Sequence, residues 1–120
     1  MTGYAGLEPG ERVFHLALGR DWEAARSAGE YRVSTLGRTL DEEGYIHASR
    51  RHQVGGVRAA FYAGLDEPLV LLEIDPDRMG CELRLEVPPG ADEAFPHIYG
   101  PLPVTAVVAV EEVPPAGPGR

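Results

Sequence analysis

Apolar and polar positions first alternate at residues 12–18, RVFHLAL, where Phe14, Leu16 and Leu18 fall on one face and Val13, His15 and Ala17 on the other. A period of two predicts a strand, here with a histidine on its second face. Asp21 reads as an N-cap, with Trp22, Ala25 and Ala28 on one stripe and Gly29 as the stop, which predicts a short helix with Trp22 in the core. Residues 31–40 are polar without a period and read as irregular. Residues 45–48 predict a short strand, with Tyr45 in the core and Ser49 as the N-cap of a helix over 50–63. Val54, Val57 and Phe61 form the stripe of that helix; Gly55 and Gly56 weaken it by about 1 kcal/mol each relative to Ala. Leu69–Ile74 is a buried-type strand closed by Asp75-Pro76. Residues 82–87 alternate again, with Leu83, Leu85 and Val87 inward and Glu82, Arg84 and Glu86 on the opposite face. A Pro- and Gly-rich loop leads to FPHIYGP, and residues 104–113, rich in Val, form the last strand.

Strands dominate, helices cluster early, and no repeated strand–helix alternation appears, so the class is α+β. The 120 residues fit a single domain, 1–120, with an ordered core over about 12–113 and loose tails at 1–10 and 114–120. Hydrophobic residues at 43% and charged residues at 25% match an ordinary globular chain and argue against wholesale disorder.

Charge narrows the function. The 19 acidic and 11 basic residues leave a net charge of -8, which opposes docking on a nucleic acid or an anionic membrane surface. Every basic residue is Arg. Without Lys the chain has no side-chain Schiff base and no P-loop lysine, so phosphate would fall to Arg or backbone N–H groups. One cysteine, Cys81, excludes an internal disulfide and a cysteine-cluster metal site. No signal-peptide pattern and no apolar run of roughly 18 residues is present, so the cytoplasm is the expected location.

What remains is chemistry by His, carboxylates, Tyr, Ser and Arg. His15 sits mid-strand, His47 in GYIHAS and His97 in FPHIYGP, where turn-forming and capping residues surround each of them. His52, in a first helical turn among arginines, reads as solvated surface. A neutral imidazole both donates and accepts a proton near pH 7, so three that converge suit acid–base work. The structural alternative for each is a hydrogen-bonded core histidine. Glu86, alternating away from the apolar face of its strand, points either into a cleft or to solvent. Glu73 interrupts an apolar run and must be paired, hydrogen-bonded or near an edge. Tyr99 is either a core aromatic or a substrate-facing group. Ser49 lacks a hydrolase elbow and reads as a cap. With no H-x-H pair and no H-E-x-x-H helix, no metal site is expected.

The ordered series FHLA, DW, GEYR, EEGYIHAS, LVLLEIDPDRM, LRLE and FPHIYGPL, over about residues 12–110, resembles the small bacterial proteins of the domain-of-unknown-function family number 952. That resemblance implies a compact ADP-ribosyltransferase-like fold, in which two small sheets with a few short helices pinch a central cleft that holds NAD. Within that broader fold, His15 in FHLA resembles a cofactor-touching histidine of the RNA 2′-phosphotransferases, and His47 with Ser49 in YIHAS resembles a later motif of theirs. Leu16 stands where those enzymes carry Gly, and the arginines expected around the phosphate have no match. The resemblance thus makes His15 and Ser49 candidate cofactor-binding residues and NAD the candidate substrate, beside His47, His97, Glu86 and Tyr99 as candidate catalytic residues.

The leading expectation is a small enzyme with a histidine-rich cleft acting on a nucleotide-like or other small metabolite, with ADP-ribosyl transfer from NAD as its specific form. The alternatives are an NAD-independent acid–base isomerase, cyclase or hydrolase, and a non-catalytic ligand-binding module. The expected partner is a small molecule, with neither nucleic acid nor membrane.

Overall fold

The computed structural model describes residues 6–35 and 37–113. Eight strands and three α-helices follow in the order β1 (Val13–Leu18), α1 (Gly19–Ala28), β2 (Glu30–Tyr31), α2 (Leu40–Glu43), β3 (Ile46–His47), α3 (Val54–Phe61), β4 (Leu69–Ile74), β5 (Glu82–Glu86), β6 (Phe95–Tyr99), β7 (Leu102–Pro103) and β8 (Val107–Val113). They make three antiparallel sheets where two were expected: β1-β4-β8, β3-β6-β5, and the short pair β2-β7. The class is α+β.

The alternation in β1 is real, but both of its faces are buried. Val13 and Ala17 enter the main core with Leu72, Ile74, Ile98 and Leu102; Leu16 and Leu18 enter a second core with Val57, Tyr62 and Leu69 beneath α3. His15 therefore lies inside the molecule. β1 runs straight into α1. The Gly19 N–H donates to the Pro68 carbonyl (3.1 Å), so the helix begins at Gly19 and Asp21 sits inside its first turn rather than at the N-cap. There its charge complements the helix dipole. Trp22 and Ala25 are buried as expected, whereas Ala28 is exposed. Gly29 ends the helix in the left-handed region (φ 94°), donating to the Ala25 carbonyl.

Residues 31–40 carry more order than their polarity suggests. Tyr31 and Ser34 are buried, Val33 bridges Thr39, and Thr39 with Glu42 forms a capping box at the start of α2. Ser49 is not a helix cap. It is extended, exchanging both backbone hydrogen bonds with Phe14 (2.8 and 2.7 Å), and this bridge joins the end of β3 to β1. The helix expected over 50–63 splits into a 3-10 turn, Arg51–Gln53, and α3, whose Val57 is buried while Phe61 is exposed.

β4 ends at Asp75 as expected, and Glu73 and Asp75 both reach Arg12 (3.6 and 3.0 Å), which supplies the pairing Glu73 requires. β5 stops at Glu86, leaving Val87 exposed rather than inward. Residues 104–106 form a 3-10 turn, so the last strand begins at Val107. Of the arm expected to be loose, residues 6–10 are described, and Leu7 packs against the main core. Residues 1–5 and 114–120 lie outside the described residues. No helix among the described residues is long and apolar enough to cross a membrane.

Candidate functional site

The sheet β3-β6-β5 assembles most of the expected residues on one face. In β6 the side chains alternate, so Pro96 and Ile98 enter the interior while Phe95, His97 and Tyr99 share the opposite face. Register places His47 of β3 beside His97, and β5 lies on the other side with Arg84 opposite His97 and Glu86 opposite Phe95. Tyr45, just before β3, stacks flat on the His97 ring (centroids 4.0 Å, planes 14° apart). The His47 and His97 rings are 5.4 Å apart. Tyr45 is thus a wall of the site and not the core residue its spacing suggests.

Glu86 binds two neighbours through one oxygen. Its Oε1 accepts from His97 Nδ1 (2.8 Å) and from the Tyr99 hydroxyl (2.5 Å). These donors, Tyr99 first, hold the Glu86 carboxyl below the usual carboxylate range; the same bond pushes the Tyr99 hydroxyl up to about 12. Arg84, clasped by Glu82 (2.8 and 3.0 Å), lies over the Tyr99 ring at 4.6 Å. With Nδ1–H given to a carboxylate, neutral His97 carries its lone pair on Nε2.

His15 stands behind this face with both nitrogens engaged. Its Nδ1–H donates to the His47 carbonyl (2.6 Å), and its Nε2 accepts from the Tyr31 hydroxyl (2.9 Å). Burial holds its pKa down to about 4, which keeps it in the neutral tautomer those two partners require. It fixes the backbone of His47 from below. Ser34 fixes it from the side, its Oγ accepting from the His47 N–H (3.1 Å). His47 itself is brought to about 4 by burial, with His97 and His15 adding to the effect. Ser49 and His15 border a small void of about 10 Å³ beside His47, the room a single water needs.

In front of His47 opens a cleft of about 370 Å³, walled by Tyr45, Phe61, Phe95 and the loop 88–91, with Ser34, Thr35 and Glu43 completing the lining. His47 is the one predicted residue that lines it; His97 lies behind Tyr45, Glu86 and Tyr99 are outside the lining, and His15 and Ser49 are buried. The Nε2 atoms of His47 and His97 are both buried with no hydrogen-bond partner. Unpaired buried nitrogens of this kind are uncommon and call for an explanation such as catalysis or an absent water. No group of three or more His, Cys, Asp or Glu suited to a metal ion occurs among the described residues.

Sequence reasoning missed Phe61, Phe95, Ser34 and the cleft-facing role of Tyr45. The period of two in FPHIY was available and puts Phe95 on the face of His97 and Tyr99. Nothing in the chain marked Ser34, which the Val33–Thr39 bridge carries to the site.

Fold and cleft together define a class, a small α+β protein of three antiparallel sheets with a side-open cleft against one of them. The chain belongs to the family described as Protein of unknown function (DUF952), whose model matches residues 17–110. It is similar to protein CC0527 from Caulobacter crescentus. A crystal structure of that protein shares 28% identity over 84% of each chain with a TM-score of 0.72. Its solution structure shares 28% identity over 82% of this chain and 81% of that one with a TM-score of 0.66. No curated protein matches.

Proposed function

We propose that the protein is a small-molecule enzyme that performs acid–base chemistry at its cleft, with His47 at the wall as the group meeting the substrate. His97 and Glu86 form the pair behind it. One observation carries this reading: two adjacent imidazoles have buried, unpartnered Nε2 atoms, and one of them is oriented by a carboxylate. A carboxylate on Nδ1 fixes the tautomer and makes Nε2 the basic atom, the arrangement general bases use. A neutral His47 beside it accepts or donates a proton without first losing one to solvent at pH 7.

The lining sets the substrate class. Phe61, Phe95 and Tyr45 give apolar walls, and Ser34 and Thr35 give hydroxyls. The cleft volume falls in the lower part of the range for small-molecule sites, about 300–1,000 Å³. No arginine among the described residues lines the cleft, and Arg38, which reaches Glu43 at 3.5 Å, is paired there. A diphosphate such as that of NAD would meet no free guanidinium, so an uncharged metabolite and an NAD-independent reaction suit these walls better than ADP-ribosyl transfer. A cytoplasmic setting fits a chain whose one thiol is Cys81.

The test is an NMR screen with uncharged, cationic and anionic metabolites of matched size, NAD among them. The expected hit is uncharged, shifts Tyr45, His47, Phe61 and Phe95, and turns over. His97→Gln lowers that turnover by about 10² or more while the melting temperature stays within a few degrees. NAD binding more tightly than every uncharged compound overturns the substrate class; turnover that survives His97→Gln overturns the acid–base role.

A further inference from the structure

We propose that Glu86 is a proton port, through which the buried His97 exchanges protons with solvent by a way separate from the substrate cleft. The inference rests on the acid–base reading above and gives its second histidine a direction. His97 is 2% exposed. Tyr45 covers a face of its ring at 4.0 Å, and its Nε2 is buried, with the His47 ring 5.4 Å away. Its Nδ1 meets Glu86, whose side chain is the more exposed partner of the pair.

The carboxylate is divided between inside and outside. Oε1 takes both internal hydrogen bonds, from His97 and Tyr99, and Oε2 has no hydrogen-bond partner among the described residues, while the side chain as a whole is 36% exposed. Glu86 is absent from the cleft lining, so a ligand seated between Tyr45, Phe61 and Phe95 leaves it in contact with water. The imidazole thus spans two compartments, with His47 and the cleft at its Nε2 edge and Glu86 and solvent at its Nδ1 edge.

The step balances without any further reagent. When His47 has taken a proton from the substrate, that His47 N–H bond breaks as an N–H bond forms at His97 Nε2; the His97 Nδ1–H bond breaks and its proton passes to Glu86. The carboxyl then releases that proton to water and returns to carboxylate, leaving His97 as the Nε2–H tautomer. The reverse passage restores Nδ1–H, so the port serves both to remove a substrate proton and to return one. Tyr99 and Arg84 are the other polar groups on this side. The Tyr99 hydroxyl holds its proton more tightly than a free phenol and donates to Glu86, and Arg84 is clasped by Glu82. They neighbour the port and carry no proton.

The experiment needs no substrate, so its failure is distinct from that of the ligand screen. In the full-length chain labelled with 15N, the His97 ring protons are followed by NMR and their exchange with water is measured at rising concentrations of imidazole buffer. The expected result is a proton on Nδ1 whose exchange rises with buffer. Glu86→Gln keeps an acceptor oxygen for both donors but is no base, and is expected to slow that exchange about tenfold or more. Tyr99→Phe, which keeps the carboxylate, is expected to stay within about threefold of the parent. A wild-type His97 carrying its proton on Nε2, a Glu86→Gln rate equal to wild type, or a Tyr99→Phe rate slowed as much as that of Glu86→Gln would each overturn the port.

Discussion

Acidification should destabilise this protein through His15, alongside His47, before its carboxylates titrate. The imidazole is buried, donates to the His47 carbonyl and accepts from Tyr31, so a second ring proton would reverse the Tyr31 hydrogen bond and place a charge in the core. Its folded pKa is about 4 against an ordinary 6.5. Between those values the unfolded chain binds the proton and the folded one does not, so stability is complete above pH 6.5 and is lost as pH falls toward 4. Linkage with these two values gives a loss of about 2 kcal/mol between pH 6.5 and 4.5 from His15 alone. Glu86, Glu11 and Glu93 are held below the usual carboxylate range, so what they contribute is lost at lower pH. Partial neutralisation of the net charge of -8 acts in the opposite direction, which makes a difference measurement necessary. Urea unfolding of wild type and His15→Gln from pH 7.5 to 4.5 supplies it. The variant starts less stable, and the gap should narrow by about 2 kcal/mol over this range. A gap that stays constant, or a His15 NMR titration midpoint near 6.5, would refute the reasoning.

Tyr31→Phe strands His15 Nε2 in the core and should cost about 1–3 kcal/mol, lowering the melting temperature by about 4–12 °C in a scanning-calorimetry comparison. Gly56 lies in α3 with nothing within 4 Å of the position a Cβ would take, so Gly56→Ala should stabilise by about 0.4–1 kcal/mol in urea unfolding. Gly100→Ala should do the reverse, by about 1–3 kcal/mol, because its Cβ would stand 2.9 Å from that of Cys81. Gln53 is buried and donates to Glu93 (2.6 Å) and to the Ala94 carbonyl (2.8 Å), tying down the loop that borders the cleft. Gln53→Ala should therefore speed amide hydrogen exchange across residues 88–94 more than in β1; equal acceleration in both would refute the tie.

Where the chain obeys a local period, its structure was legible. β1 and β4 appear where alternation and the apolar run put them, and Gly29 stops α1 as a left-handed cap. Ser49 shows what local rules leave out. A serine before a helical pattern reads as a cap, but its backbone is claimed by Phe14, 35 positions earlier in the chain, and a cross-strand bond of that kind leaves no trace in spacing. Tyr45 failed for a related reason. Its aromatic ring is apolar enough for a core, and only the register that sets His47 against His97 turns it into the cover of a site. The histidines were legible as candidates by residue type; their separate positions as clamp (His15), wall (His47) and relay (His97) depend on three different elements meeting.

The acidity of the chain and the neutrality of its histidines pull against each other. A net charge of -8 by itself stabilises protonated imidazole. Burial nonetheless takes His47 and His15 down to about 4, because desolvating an imidazolium outweighs the diffuse field of carboxylates held at the surface. The negative charge outside thus leaves both groups inside neutral at pH 7. It also means that an anionic ligand would meet repulsion on approach and no cation among the cleft-lining residues, so the feature that argues against a nucleic-acid partner argues equally against an anionic substrate.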